Sequence, residues 1–213
     1  MMDSPSEYHL RELRIASDAT DLRRSLPDVP AACRRILDIG GGAGQTLIAL
    51  NLDSHVDQVA MDVDRDALRL GMTLSDRILF VQGAGERLPF PTRSFDFVLC
   101  RVALPYMNIP LAIGEIKRVL RPGGGVWFTL HPLSMLSIPE ATRSVHQAVF
   151  EAYRLLNCAS LHVLGWQFGF LRRRFESYQT EGGMRRVLER HGFGEIRFQR
   201  SEGLAVTAVY SDD

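Results

Sequence analysis

Ile36-Leu37-Asp38-Ile39-Gly40-Gly41-Gly42-Ala43-Gly44-Gln45-Thr46 is an apolar run that empties into a cluster of glycines. Residues 35–39 read as a buried strand, the glycines as a sharp turn, and 45–52 as a short helix. Working outward, strand and helix keep alternating. Strands are expected at 58–62, 78–81, 95–100 and 125–130, with a helix over 65–73. Another helix carries Ala112, Ile113, Ile116, Val119 and Leu120, and Arg121-Pro122-Gly123-Gly124 stops it. Short apolar strands separated by helices predict an α/β fold, a Rossmann-like doubly wound sheet that is mostly parallel with helices on both faces. A C-terminal hairpin, 195–199 and 204–210 about Ser201-Glu202-Gly203, adds antiparallel strands. Upstream, residues 5–26 read as a helix or two. Downstream, 141–156 reads as an amphipathic helix, 161–175 as an aromatic-rich stretch, and Thr180 as the cap of a last helix ending at Gly192.

With 213 residues, 46% of them hydrophobic, the chain suffices for one sizeable core, and a single domain over 1–213 is expected. Within it, 1–30 is a helical segment, 34–130 the ligand-binding core, and 132–180 an insertion suited to cover an acceptor. Lys+Arg and Asp+Glu both number 25, so no global field favours nucleic acid or an anionic membrane. Cys33, Cys100 and Cys158 are too scattered for a disulfide framework or a zinc site, and read as buried thiols in a reducing compartment with no metal. The polar start of the chain and the lack of a ~20-residue apolar run predict a cytoplasmic protein without a membrane anchor.

The ligand of such a sheet belongs at the carboxyl ends of the strands, beside the first glycine loop. Gly40, Gly42 and Gly44 permit close approach of a ligand to the backbone. The dinucleotide fingerprint fails, because Gln45 and Leu47 stand where its third glycine would follow Gly42 or Gly44. Asp38 sharpens the distinction: its carboxylate repels a pyrophosphate and suits a ligand bearing an ammonium and a sulfonium. Asp62, ending the second strand, can accept hydrogen bonds from both hydroxyls of a ribose. The competing readings are a plain turn for the glycines and a helix cap for the aspartate.

Four segments then occur in order: ILDIGGGAGQT (36–46), VAMDVDRDAL (59–68), GAGERLPFPTRSFDFVLC (83–100) and EIKRVLRPGGGVWF (115–128). Together they resemble the class I S-adenosylmethionine-dependent methyltransferases, in particular the UbiE-like, or type 11, family. Weaker similarity extends over 180–193. The resemblance implies S-adenosylmethionine as cofactor. Asp38, Gly40, Gly42 and Gly44 would hold its methionine end, Asp62 its ribose, and Gly83, Ala84 and Gly85 its adenine, with Val63 packed on the ring. Arg101 lies where backbone contacts to the methionine amine are usual. Ala84 departs from the family, which commonly places an Asp there for the adenine amino group; either Gln82 or Glu86 substitutes, or affinity for the cofactor is lower. Gly41 stands where Cys is frequent.

Methyl transfer is an in-line displacement at an activated carbon, so positioning and exclusion of water dominate, and a base is needed only for an acceptor that must lose a proton. His131, after the fifth strand, is the candidate base, against the alternative of a histidine satisfied by nearby backbone. Tyr106 is the candidate wall of the acceptor pocket, against core packing. Leu104-Pro105-Tyr106 lacks the amide or carboxylate of the Asn/Asp-Pro-Pro-Tyr motif, which argues against amino methylation of nucleobases or glutamine. His162 has a weaker claim. Trp166, Phe168, Phe170 and Phe175 form either an apolar lid or plain core, and Arg172-Arg173-Arg174 either contacts an anionic acceptor or RNA or forms a solvated face. The expected partner is a small-molecule acceptor, not a membrane or nucleic acid; a modifying enzyme of RNA or protein and a non-catalytic binder are the rivals. The oligomeric state is left open.

Overall fold

The computed structural model describes residues 5–136, 145–169, 175–200 and 203–211. Helix α1 (Pro5–Ser17) leads into β1 (Arg35–Ile39), α2 (Gln45–Leu50), β2 (Asp57–Asp62), α3 (Arg65–Leu74), β3 (Ile78–Gln82) and β4 (Phe95–Cys100). Then follow α4 (Ile109–Val119), β5 (Leu120–Leu130), α5 (Val145–Leu164), α6 (Glu181–Arg190), β6 (Phe193–Arg200) and β7 (Leu204–Tyr210). The seven strands form one sheet in the order β3-β2-β1-β4-β5-β7-β6. The first five run parallel, β7 is antiparallel to β5, and β6 is antiparallel to β7. The chain winds outward from β1 to β3 and then returns to lay β4 on the other side of β1. The carboxyl ends of β1 and β4 therefore flank the crevice where strand order reverses.

Two apolar layers sandwich the sheet. Leu37 and Ile39 of β1 face one way, toward α4 (Ile109, Ile113, Ile116) and α6 (Met184, Val187, Leu188). Ile36 faces the other, toward Leu47 of α2 and Leu68 of α3. Along β5 the same alternation sends Val126 and Phe128 to the first layer and Trp127 to the second. In β4 it slips: Phe95 and Val98 share a face, because the register against β5 shifts between Phe95 and Phe97.

Several expected boundaries move. The first helix ends at Ser17 instead of continuing toward residue 26. There the Asp18 carboxylate accepts hydrogen bonds from the Thr20 N–H and hydroxyl, and Asp21 accepts from the Arg23 N–H, giving the backbone an alternative to helix. Helix α4 begins at Ile109, where Asn108 caps the Leu111 N–H, and gives way at Leu120 to a strand starting five residues before the expected one. Of the helix expected over 141–156, residues 141–144 lie outside the described residues, and α5 runs on to Leu164. Tyr153, Cys158 and Leu161 continue one buried face, and Gly165, at φ +69°, donates to the Ser160 and Leu161 carbonyls to end it. Strand β6 extends over Phe193–Arg200 with a bulge after Gly194. Ser201 and Glu202 of the expected turn lie outside the described residues. All three cysteines are buried free thiols, and among the described residues no helix is long and apolar enough to cross a membrane.

Candidate functional site

The glycine loop closes over the end of β1 in a conformation its residues require. Gly40 has φ +71°, and a Cβ there would sit 2.1 Å from the Ala103 Cβ; Gly42 has φ +54°. The Gly40 and Gly41 N–H groups donate to the Met61 carbonyl, tying the loop to β2. The Asp62 carboxylate locks it further, one oxygen accepting from the Gly42 N–H at 2.9 Å and the other from the Asp64 N–H at 2.9 Å. Each oxygen keeps a lone pair for a further donor.

Asp38 lies beneath this loop, 1% exposed, and among the described residues neither of its carboxylate oxygens has a hydrogen-bond partner. Burial pushes its pKa up to about 8, with nearby Arg101 pulling it down and Asp62 raising it. An unpartnered carboxylate at this depth is costly unless something cationic arrives to share it. Arg101 does not fill that role by hydrogen bonding: its guanidinium pairs with Glu12 of α1 at 2.8 Å and reaches the Thr46 hydroxyl at 3.3 Å. The next residue, Val102, has φ +67°, a strained conformation for a β-branched side chain. It is held by its N–H donating to the Thr129 hydroxyl at 2.7 Å. A strained residue thus sits at the mouth of the crevice, just past the end of β4 and tied to β5.

The cavity here has a volume of about 210 Å³ and is walled by Tyr8, Gly40, Asp62, Arg101, Val102 and Tyr106 among others. That is below the ~300 Å³ at which small-molecule sites usually begin, because α1 lies across the opening. The His9 ring sits 2.7 Å from where a Gly42 Cβ would project, and its Nδ1 is 3.4 Å from the Gln45 amide nitrogen. Tyr8, His9 and Glu12 were not among the site residues read from sequence. A polar helix 89 residues before its ion-pair partner carries no local signal of where it docks.

The end of the crevice expected to receive the adenine is a shelf. Val63 is 66% exposed beside Asp62, and Gly83 is anchored through its N–H to the Asp62 carbonyl. Ala84 bridges back to Arg87, and a side chain on Gly85 would collide with the Met107 sulfur at 2.5 Å. The two suggested substitutes for an acidic contact are already engaged. The Gln82 amide spans the Val63 carbonyl and the Arg65 guanidinium, while Glu86 accepts from the Asn108 N–H at 2.8 Å, ahead of α4.

The structure brings the two catalytic candidates together. Tyr106 and His131 meet edge to face, ring centroids 5.5 Å apart at 88°. Gln179 fixes the backbone of His131 on both sides, its side-chain oxygen accepting from the His131 N–H and its own N–H donating to the His131 carbonyl. Burial, and then the charge of Arg154, lower the His131 pKa, so the imidazole is neutral at pH 7 and able to accept a proton. Tyr106 shifts upward, chiefly through burial. Of these two, Tyr106 lines the cavity directly and His131 stands behind it. The lid candidates Trp166 and Phe168 meet each other with ring centroids 4.2 Å apart and planes tilted by 53°, and they and Phe175 are absent from the described wall of the cavity. Phe170 and Arg172 to Arg174 lie outside the described residues. His162 pairs with the Thr180 hydroxyl at the start of α6, away from the crevice.

Comparison with known proteins agrees with this architecture. A methyltransferase-domain family model matches residues 37–128. The chain is 34% identical to the ubiquinone/menaquinone biosynthesis C-methyltransferase UbiE of Bradyrhizobium sp. over 197 residues, covering 86% of this chain and 74% of that protein. It is 32% identical over 124 residues to the methyltransferase YcgJ of Bacillus subtilis, covering 54% of this chain and 47% of the relative, so it spans about half the length of that protein. Among solved structures, the PH0226 protein of Pyrococcus horikoshii superposes with a TM-score of 0.61 at 18% identity, covering 84% of this chain and 82% of that one, a likeness of fold.

Proposed function

The chain belongs to the UbiE-like class I S-adenosylmethionine-dependent methyltransferases, and from that membership we propose that it methylates a small, partly apolar acceptor and releases S-adenosylhomocysteine. The observation that carries this reading is the pair of carboxylates under and beside the glycine loop, Asp38 buried without a partner and Asp62 with lone pairs to spare. They match the ammonium and the ribose diol of the cofactor, and Asp38 is placed to give up its proton to a cationic amine, which a dinucleotide's pyrophosphate does not offer. Gly40 to Gly44 leave room for the methionine end, the exposed Val63 offers an apolar face for the adenine, and the backbone of Gly83 to Gly85 borders it. When bound, the cofactor supplies a methyl group on a positively charged sulfur, so no metal or covalent intermediate is required.

What the chain's own residues do follows from their placement. Asp38 offsets the charge of the amine, Asp62 orients the ribose, and α1 excludes water from the crevice. Tyr106 lines the acceptor side with His131 packed against it, and the neutral His131 imidazole takes the proton of an acceptor hydroxyl, making that oxygen or the ring carbon beside it nucleophilic toward the methyl; on carbon, the ring proton leaves after the methyl is attached. The activity for which the UbiE relative is named, C-methylation in ubiquinone/menaquinone biosynthesis, supports an electron-rich aromatic ring of quinol type as the acceptor class. Single-turnover transfer from methyl-labelled cofactor to a panel of hydroquinones and phenols tests this. We expect a labelled product whose yield falls on the order of 100-fold in His131→Asn, with cofactor affinity retained. Label transferred only to RNA or protein, or cofactor binding with no transfer to any acceptor, would overturn the acceptor assignment.

A further inference from the structure

Helix α5 buries Tyr153, Asn157, Cys158, Ser160 and Leu161 against the molecule. Its opposite side is apolar too. Val145 is 81% exposed, Val149 51%, Leu156 67% and Val163 62%, and Ala152 and Ala159 complete the row in solvent. These six positions are spaced alternately by four and three residues, the repeat of a helix that packs along its whole length on another helix. Ala148 and Leu155 widen the stripe, and none of the eight residues is charged.

We propose that this face of α5 is the contact surface of a homodimer in which two copies of the helix pack antiparallel about a two-fold axis. The row is self-complementary only in that direction. An axis passing level with residue 154 sets Val145 against Val163, Val149 against Ala159 and Ala152 against Leu156, so a large side chain meets a small one at two of the three levels. A parallel pair would instead stack Ala152 on Ala152 and Ala159 on Ala159, leaving voids between layers of Leu and Val. With no charge on the stripe, nothing opposes self-association. A 20-residue helix is ~30 Å long and ~10 Å across, so the face it can lay against another helix is roughly 300 Å². That is a patch of the size a monomer commonly leaves exposed, and two copies bury about 600 Å², a small contact that fits a weak, reversible dimer. The surface lies on the side of α5 away from its packed face and is independent of how the crevice is used.

Sedimentation velocity over about 5 to 200 µM tests the proposal, since an interface of this size predicts a dimer that dissociates on dilution in the micromolar range. Leu156→Glu and Val149→Glu place charge at solvent-exposed helical positions, so folding should survive, as circular dichroism will report, and both variants should sediment as monomers at every concentration. Mixing Val145→Cys with Val163→Cys protein under mild oxidation should give a disulfide-linked dimer, whereas Val145→Cys alone should not link, its two copies lying ~27 Å apart along the antiparallel pair. A wild-type protein monomeric at 200 µM, glutamate variants that still dimerise, or self-linkage of Val145→Cys would overturn the arrangement. So would a monomer that co-sediments with phosphatidylcholine vesicles through this face, which would make the helix a lipid-binding element.

Discussion

Asp38 shows how a single side chain can be tuned for a ligand at the expense of the empty fold. A free Asp titrates near ~3.9, whereas burial pushes Asp38 up to about 8. Between those values the folded chain holds a proton that the unfolded chain has released. Unfolding free energy contributed by this group therefore declines as pH rises from about 4 toward 8. Asp38→Asn keeps the shape and removes the titration. It is expected to melt above the wild type at pH 8, with the gap closing toward pH 5, and to lose affinity for S-adenosylmethionine because a neutral amide cannot offset an ammonium. Melting curves across pH with and without cofactor check both halves; parallel pH profiles, or unchanged affinity, would contradict the role given to Asp38. Asp38 and Asp62 are legible from sequence because their places at strand ends fix where their oxygens emerge. The His9 ring over Gly42 is not, since only tertiary packing brings it there.

At the scale of elements, α1 is the part of the site that pattern reading underestimates. Its Glu12 pairs with the nearly buried Arg101, whose side chain is 8% exposed. Removing one partner of such a pair strands the other charge, at a cost on the order of 3 kcal/mol. Glu12→Ala is thus expected to lower the urea midpoint with an unchanged slope. A loss below about 0.5 kcal/mol would mean that solvent compensates Arg101 and that α1 is not fastened by this contact. The parallel strands could be placed from their apolar runs because burial on both faces leaves a continuous signal. Boundaries were lost where local polar side chains decided the matter, as at Asp18 and Asp21, and where a buried face simply continued, as from Cys158 to Leu161 in α5. The bulge in β4 leaves no trace in the residues Phe95 to Phe97 themselves.

Across the whole molecule, strand and helix alternation specifies the doubly wound sheet, and the sheet in turn specifies the crevice between β1 and β4. The position of β7 between β5 and β6 is a different matter. A C-terminal hairpin can add to the sheet through either of its strands, and the choice rests on tertiary burial: Leu204, Val206 and Ala208 of β7 are buried in the main layer, while β6 stays largely exposed at the edge. The unpartnered Asp38 and the lone pairs of Asp62 suit that crevice to a cationic sulfur nucleoside. Calorimetric titration of S-adenosylmethionine, S-adenosylhomocysteine and NAD into the wild type and Asp62→Ala tests it most directly. Saturable binding of both sulfur nucleosides is expected, with none of NAD and a loss of at least about tenfold in Asp62→Ala, the equivalent of ~1.4 kcal/mol for a charge-assisted hydrogen bond. Binding of NAD in preference to the sulfur nucleosides, or an Asp62→Ala affinity equal to that of the wild type, would contradict it.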